Sequence, residues 1–247
     1  MDTLLGKARL VLESFDAESD LLSLTEIARR SGVAKTTVYR IANELVLLGF
    51  LERAGHMYRL GLRLFELGQL APRQRILREL SATHVQHLHA ITCATVYLAI
   101  RDGSDVLYIE KISGHYAAGS DSRVAGRLPL HVTAVGKAIL AYSPPELVDS
   151  VLADTMVAFT SYTVNSPDEL RRQLEQVRAQ SIAVEIEEVR LGTASIAAPI
   201  FGGHGIVVAA IGVSIPRYRM SIECIEGPLK AAAAEISREC QISQRSA

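Results

Sequence analysis

The sequence has few cysteines and no hydrophobic run of transmembrane length. Cys93, Cys224 and Cys240 are odd in number and share no CxxC spacing, which argues against a disulfide framework or a zinc ribbon and favours small buried side chains. No stretch reaches the roughly 18 uninterrupted apolar residues that a membrane helix needs. Asp2 and Lys7 lie where a secretion signal has a basic end and then an apolar run, so we expect a cytoplasmic protein without a membrane partner.

Charge is distributed unevenly along the 247 residues, although the net charge at pH 7 is only −1. Residues 1–80 carry 12 Lys or Arg and 10 Asp or Glu, whereas residues 81–247 carry 14 and 17. The contrast is sharpest over residues 25–63, where seven basic residues accompany three acidic ones. Basic segments attract nucleic-acid phosphates, so this segment is the candidate for DNA binding. The chain length suits one large or two modest domains.

The first 60 residues have the periodicity of three helices followed by a hairpin. Apolar residues at spacings of three and four predict helices over residues 4–15, 25–30 and 35–48. The side chains predicted to face inward are Leu5, Ala8, Leu12 and Phe15 in the first helix and Val38, Ile41, Leu45 and Leu48 in the third. Ser23-Leu-Thr-Glu26 predicts a capping box, and Gly32 suits a tight turn between the second and third helices. Two short strands around residues 54–56 predict a wing.

A helix-turn-helix explains the apolar positions of this segment and leaves a polar edge outside. The close crossing of its helices requires a small residue, a glycine turn and buried branched residues, and Ala28, Gly32 and Val38 meet these demands. The donors and acceptors left outside suit phosphates and base edges. The predicted DNA-binding residues are Lys35, Thr36, Thr37, Tyr39, Arg40 and Asn43 on the helix and Arg53, His56 and Arg59 on the wing. The alternative is a three-helix bundle with a solvated polar face.

The remaining residues predict an α+β domain with an antiparallel sheet. Residues 62–70 are apolar at helical spacing and stop before Pro72, which indicates a linker helix whose apolar stripe needs a partner. Further helices are predicted over residues 75–91, 133–142, 167–180 and 222–240, strands over 93–100, 106–111, 182–187, 195–201 and 207–214, and a loop or irregular strand over 113–126. We therefore expect a winged helix-turn-helix domain over residues 1–61, a linker helix over 62–80 and a second domain over 81–247.

Three motifs in order resemble the IclR family of bacterial transcription regulators over essentially the whole chain. They are LTEIARRSGVAKTTVYRIANEL, GRLPLHVTAVGKAILA and LGTASIAAPIFGGHGIVVAAIGVS. The resemblance implies a GAF-like C-terminal domain that binds a small organic effector, homodimers formed through the DNA-binding part and the linker helix, and often homotetramers formed through the effector domains. A twofold protein in turn implies a pseudo-palindromic operator in double-stranded DNA.

The same resemblance indicates where an effector binds. Carried onto the matching positions, it implies the effector-binding residues Ala134, Val135, Glu185, Ser195, Gly212 and Ser214. Ser195 stands where the family often has cysteine, and Gly212 stands where it has a hydroxyl, so an effector cannot be transferred from better-known relatives. The residues themselves add that His131 and Thr133 precede a helix start whose N–H groups attract anions, although a plain helix cap explains the same pattern.

Two interpretations of Glu185 stay open. Backbone N–H groups at the helix start, with the hydroxyls of Ser195 and Ser214, suit an effector carboxylate. An ionised Glu185 would repel that carboxylate unless its pKa is raised or the effector offers a hydroxyl or amine donor. In the alternative, Glu185 faces solvent on the same side of a strand as Glu187, with Glu188 opposite.

Other patterns carry no site. His84 and His87 lie one helical turn apart, with His89 near them, but no third metal ligand is evident. The glycines of GGHG lack dinucleotide-binding spacing and predict a hairpin turn. No GxSxG, HExxH or P-loop motif occurs. We expect no catalytic residue, metal or cofactor. The alternative function is a metabolite-binding module or minor enzyme whose helical domain contacts protein.

Overall fold

The computed structural model describes residues 3–16, 19–114, 123–219 and 221–245. The chain divides into two compact units, Met1–Arg75 and Ile76–Ala247. Within the described ranges, no helix is both long enough and apolar enough to cross a membrane.

The first unit packs three helices with a small antiparallel sheet. Its helices are α1 (Leu4–Leu12), α2 (Leu24–Ser31) and α3 (Lys35–Leu47), and its strands are β1 (Leu22–Ser23), β2 (Leu51–Ala54) and β3 (Met57–Leu60), in the order β1-β3-β2. The core contains Val11 of α1, Ile27 of α2, Val38 and Ile41 of α3, and Tyr58 of β3. This unit is therefore a helix-turn-helix followed by a wing, as the sequence predicts.

Local signals set both ends of α2. The hydroxyl of Ser23 accepts a hydrogen bond from the backbone N–H of Glu26 at 3.2 Å, and Gly32 ends the helix with a φ of 67°, which a residue with a Cβ resists. The carboxylate of Glu26 accepts hydrogen bonds from Arg29 and Arg30 instead of reaching back to Ser23. These hydrogen bonds lower the pKa of Glu26 to about 2. Only the serine half of the predicted capping box is thus formed.

Two of the inward-facing predictions are wrong. Leu5 is 82% exposed, and the buried residues of α1 are Gly6 and Val11 instead. Leu48 is 61% exposed because α3 ends at Leu47 and the chain turns away at Gly49, which has a φ of 75°.

The predicted linker region contains one helix and the start of another. Helix α4 (Leu62–Gln69) buries none of its residues and leaves Leu62 and Phe65 exposed, followed by an exposed Leu70. Helix α5 (Pro72–Thr92) begins at a proline, which is tolerated there because the first N–H of a helix has no partner to lose. The division between the two compact units falls inside α5.

The second unit is built on a six-stranded antiparallel sheet. Its strands are β4 (Thr95–Asp102), β5 (Asp105–Ile112), β6 (Arg127–Pro129), β7 (Ala183–Ile186), β8 (Thr193–Phe201) and β9 (Val207–Pro216), in the order β6-β5-β4-β9-β8-β7. The register pairs Tyr97 with Gly212, and it pairs Ser195 with both Glu185 and Ser214. Predicted effector positions thus become neighbours on adjacent strands.

Helices cover both faces of this sheet. Helices α5 and α9 (Ile222–Arg245) pack on one face, where Leu88, Ile211 and Leu229 share a core cluster. Helices α6 (Ala134–Ala141), α7 (Pro145–Ala153) and α8 (Pro167–Gln180) lie on the other face around Tyr97 and Ala197. This is the α+β architecture that the sequence predicts.

Two elements of the second unit, α7 and β6, are absent from the predicted order, as is β1 of the first unit. The prolines that end α6 also start α7, because proline is well tolerated at the first helical position. Strand β6 is only three residues long, too short for a period to show. Most of the loop predicted over residues 113–126 lies outside the described residues.

Candidate functional site

Helix α3 presents the predicted DNA-binding edge to solvent. On this helix Lys35, Thr36, Tyr39 and Arg40 are exposed, and Thr37 and Asn43 are half-buried. Lys35 donates a hydrogen bond from Nζ to Oγ1 of Thr25 at 2.8 Å. No side chain caps the start of α3, which follows Ala34, so its first N–H groups are open to an anion such as a phosphate. None of the six predicted residues lies in the core.

Arg53 and Arg59 of the wing have different partners. Nη2 of Arg53 donates a hydrogen bond to the hydroxyl of Tyr58 at 2.9 Å, and its guanidinium lies 5.4 Å from the centre of that ring. Nη2 of Arg59 lies 2.6 Å from the carboxylate of Glu52, which lowers the pKa of Glu52. An exposed ion pair of this kind contributes little to stability, so Arg59 can leave Glu52 and contact a phosphate at small cost. His56 is exposed in the turn between the strands.

A cavity of about 710 Å³ lies in the second unit. It is lined by residues of all six strands of the sheet, by the end of α5, by the starts of α6 and α9, and by residues 189–192 between β7 and β8. The predicted effector residues that line it are Ala134, Glu185, Ser195 and Ser214. Val135 and Gly212 do not line it. Four of the six positions therefore meet around one space.

Position 212 lies behind a tyrosine ring that the sequence did not single out. A Cβ on Gly212 would lie 2.5 Å from Cε2 of Tyr97 and 3.1 Å from Cγ1 of Val135. Tyr97 itself lines the cavity and is 3% exposed. Burial raises the pKa of its hydroxyl, and a hydrogen bond with Ser195 acts in the opposite direction. Gly212 thus leaves room for the Tyr97 ring at the wall of the cavity.

The solvent-facing interpretation of Glu185 is wrong. Glu185 is 2% exposed, and one of its carboxylate oxygens accepts hydrogen bonds from the backbone N–H groups of Glu188 at 2.6 Å and Val189 at 3.2 Å. Burial raises the pKa of Glu185, although these bonds and one with Ser195 act against it. The expected alternation ends because β7 stops at Ile186 and Glu187 has a φ of 58°. Glu188 is buried as well.

The start of α6 reaches the cavity at its cap Thr133 and its first residue Ala134. Oγ1 of Thr133 caps the helix by accepting from the N–H of Gly136 at 3.0 Å. A Cβ on Gly136 would lie 2.2 Å from the carbonyl oxygen of Leu130, so only glycine allows this close approach. Helix geometry leaves the first N–H groups, at Ala134 and Val135, without intrahelical partners. Such groups attract an anionic ligand.

Sequence reasoning missed a buried ion pair beside this site. Nζ of Lys137 contacts the carboxylate of Glu188, and their side chains are 0% and 7% exposed. Burial lowers the pKa of Lys137 and raises that of Glu188, while the attraction between them opposes both shifts. The signal was a single cation in the otherwise apolar helix AVGKAILA, which demands a buried partner. The sequence does not say which acid provides it.

The histidines set aside as metal ligands take structural partners. Nε2 of His84 lies 2.9 Å from the carboxylate of Glu239 on α9, and Nδ1 of His89 lies 2.7 Å from the carbonyl oxygen of Ala94. Among the described residues, no group of three His, Cys, Asp or Glu side chains is arranged to hold a metal ion.

The chain joins a winged helix-turn-helix unit to an α+β unit whose cavity has polar lining residues. This combination is that of the transcriptional regulators with a DNA-binding domain and an effector domain. Two family models match in agreement with this class. The model for the IclR helix-turn-helix domain matches residues 5–55, and the model for the bacterial transcriptional regulator IclR C-terminal domain matches residues 71–238. The chain therefore belongs to the IclR family of bacterial transcriptional regulators.

Individual relatives agree with this assignment. The chain is 34% identical over 214 residues to the HTH-type transcriptional regulator KdgR of Dickeya chrysanthemi, which covers 85% of this chain and 70% of that protein. It is 32% identical over 235 residues to KdgR of Escherichia coli (strain K12), and that match covers 93% of this chain and 89% of that protein. These relatives are regulators and not enzymes, and we class this chain in the same way.

A solved structure extends the likeness to the complete fold. It is the crystal structure of an IclR homologue from Microbacterium hydrocarbonoxydans complexed with 4-hydroxybenzoate, with a TM-score of 0.90 and 30% identity. The match covers 96% of this chain and 99% of that chain.

Proposed function

We propose that this protein acts on the bacterial chromosome in the cytoplasm as a regulator whose DNA binding is controlled by a small organic acid. It reads a pseudo-palindromic operator with α3 and the wing, and the acid binds in the cavity of the second unit. The observation that carries the proposal is that Tyr97, Glu185 and Ser195 together line that cavity. The unit that contains it is joined, in the same chain, to an exposed recognition helix.

The DNA-binding part of the proposal rests on exposure and charge. All nine predicted contact residues are exposed or half-buried, and they belong to α3 or to the wing that follows it. In a helix-turn-helix protein the second helix enters the major groove and the wing lies against the neighbouring backbone. Phosphate contacts from Lys35 and the arginines would supply most of the affinity, and base edges would be read by side chains such as Asn43.

The polar groups that line the cavity suit an organic acid. The N–H groups at the start of α6 attract a carboxylate, and Ser195 and Ser214 provide hydroxyls. The raised pKa of Glu185 weakens its repulsion of an anion, because a neutral carboxyl can donate a hydrogen bond instead. The bound 4-hydroxybenzoate of the Microbacterium hydrocarbonoxydans homologue supports a small aromatic acid as a first probe.

A homodimer, or a homotetramer made from dimers, would give the twofold arrangement that a pseudo-palindromic operator needs. The exposed apolar side chains Leu62, Phe65 and Leu70 are on or beside α4 and form the surface such an assembly would bury. Half-sites would then lie about one helical turn of DNA, or a multiple, apart.

The test of DNA binding begins with selection of a bound duplex from a random pool. With that duplex, the Lys35→Ala/Arg40→Ala double variant should bind at least about tenfold more weakly at moderate salt, because two phosphate or base contacts are lost. Arg172→Ala is the matched control, since Arg172 lies on α8 in the second unit and pairs with Glu169. If duplex binding survives the double change, α3 is the wrong surface and a protein-contacting helical domain becomes the better account.

The test of effector binding is thermal unfolding of the purified protein with aromatic and aliphatic organic acids, beginning with 4-hydroxybenzoate. An acid that binds the native state raises the melting temperature by mass action. Ser195→Leu should abolish that rise because it fills part of the cavity floor. If the rise is unchanged in Ser195→Leu, the acid binds elsewhere.

A further inference from the structure

The ion pair of Lys137 and Glu188 lies beside the effector cavity without lining it. Lys137 occupies the second turn of α6, a helix whose eight residues are all buried. Removing two charges from water is unfavourable unless both are paired and their remaining polar atoms are satisfied. Each polar atom of Glu188 has a partner, and these partners show what the pair holds together.

The backbone of Glu188 leads to the cavity. Its N–H and that of Val189 donate to the same carboxylate oxygen of Glu185, at 2.6 Å and 3.2 Å. Glu185 and Val189 line the cavity, as do residues 190–193. The position of Glu188 therefore fixes where the cavity-lining segment 189–193 starts and how the carboxyl of Glu185 is oriented.

The remaining polar atoms of Glu188 lead away from the cavity. Its carboxylate contacts Lys137 and accepts from the N–H of Val164 at 3.2 Å, and its carbonyl oxygen accepts from Oγ1 of Thr163 at 2.6 Å. Lys137 lies one turn beyond Ala134, the residue of α6 that lines the cavity. The pair thus connects two parts of the cavity wall, the start of α6 and residues 189–193, through side chains that do not line the cavity themselves.

We propose that Lys137 and Glu188 are positioning residues of the effector site, which hold residues 189–193 and the carboxyl of Glu185 in register with the first turn of α6. Neither residue needs to touch the effector. Their relevance to effector binding rests on the proposed function, whereas their effect on the cavity wall does not. Without the pair, the wall segment would lose its anchor to α6 while the sheet behind it keeps its own hydrogen bonds.

The experiment compares amide hydrogen exchange in the full-length wild type, Lys137→Met, Glu188→Gln and the double variant. Each single change leaves a buried charge without its partner and lowers the melting temperature of the protein. The double variant has no unpaired charge, so its melting temperature should recover most of that loss. Its amides at residues 188–193 should nevertheless exchange about tenfold faster than in the wild type, with those of β8 and β9 unchanged. Glu110→Gln is the control, because Glu110 pairs with Arg78 away from the cavity.

Two results would overturn the inference. One is wild-type exchange at residues 188–193 in the double variant, which would mean that the wall is held without the pair. The other is an equal acceleration throughout the second unit, which would make the pair a source of stability only. Should the double variant fail to fold, Glu188→Asp keeps the charge but shortens its reach, and the same local acceleration is expected without a general one.

Binding of 4-hydroxybenzoate adds a readout that separates this inference from the proposed function. If that acid binds the wild type, its Kd should rise about tenfold in the double variant, which corresponds to the loss of an ordered wall. An unchanged Kd would contradict the positioning role. If the acid does not bind the wild type, the proposed effector class loses its first candidate, and the exchange measurement still decides on the pair.

Discussion

The ring of Tyr97 fills the space beside Gly212, its partner across the β4–β9 ladder, so closely that a Cβ at position 212 would lie 2.5 Å from Cε2. The glycine and the tyrosine therefore depend on each other. A side chain at position 212 would require the ring or one of the two strands to move.

Gly212→Ser should destabilise the second unit by about 1–3 kcal/mol, because overpacking a buried position forces neighbouring side chains from their preferred rotamers. Adding Tyr97→Leu should recover most of that loss, since the shorter side chain gives the serine room. Chemical denaturation measures both. Gly227→Ser is the control, because no atom outside its own helix lies within 4 Å of a Cβ at that position. Equal stability of Gly212→Ser and the wild type would show that Tyr97 moves freely.

Glu185→Gln should make the stability of the protein less dependent on pH. Burial raises the pKa of Glu185 above its ordinary 4.5, so the folded state keeps a proton that the unfolded state has lost. The contribution of Glu185 is thus present below about pH 4.5 and is lost as pH rises through the raised pKa. Denaturant unfolding at several pH values should show a smaller decline in the variant. Glu188 shifts the same way and remains in both proteins, so the difference reports Glu185. Identical pH profiles of stability in the wild type and the variant would contradict a raised pKa of Glu185.

Glu52→Gln should tighten DNA binding by up to about fivefold at low salt, because an exposed ion pair holds its cation by less than about 1 kcal/mol. The change frees Arg59 and removes a negative charge that would face the phosphates. Fluorescence anisotropy against the selected duplex measures the effect, which should shrink as salt is added. Glu66→Gln, which frees Arg63 on α4, is the matched control. Weaker binding in Glu52→Gln would mean that the pair orders the wing for DNA.

Phe65→Glu should lower the oligomeric state. Phe65 is 62% exposed on a helix that buries none of its residues, and a charge there would be costly to bury in an assembly. Analytical ultracentrifugation should show a smaller species for Phe65→Glu and the wild-type species for Glu66→Lys, which changes charge on the same helix without removing apolar area. If Phe65→Glu sediments as the wild type does, α4 is not the assembly surface.

The elements that the sequence predicted well have local causes. Ser23 and Gly32 delimit α2 through bonds and backbone angles within a few residues, and the periodicity of α3 follows from its own buried face. The exposure of Leu5 and Leu48 could not be predicted in this way. It depends on where each helix ends and on how far the core extends along it, and periodicity along a helix carries no information on either.

The cavity was less accessible to sequence reasoning. Family resemblance supplied Glu185 and Ser195, and both line the cavity. Tyr97 lies in an apolar strand pattern that also fits a core residue, and its role depends on a glycine on another strand. Lys137 and Glu188 are 51 residues apart, so their contact follows only from the folded sheet. Pairings across such distances are tertiary facts.

Helix α6 has no face toward solvent, since each of its eight residues is buried. A helix on a surface can tilt against its support at small cost, but one enclosed on all sides moves only if the layers around it move too. An acid that pulls on its first turn would therefore act on the whole interior of the unit, and the response would be a shift between two packed arrangements instead of a graded local adjustment.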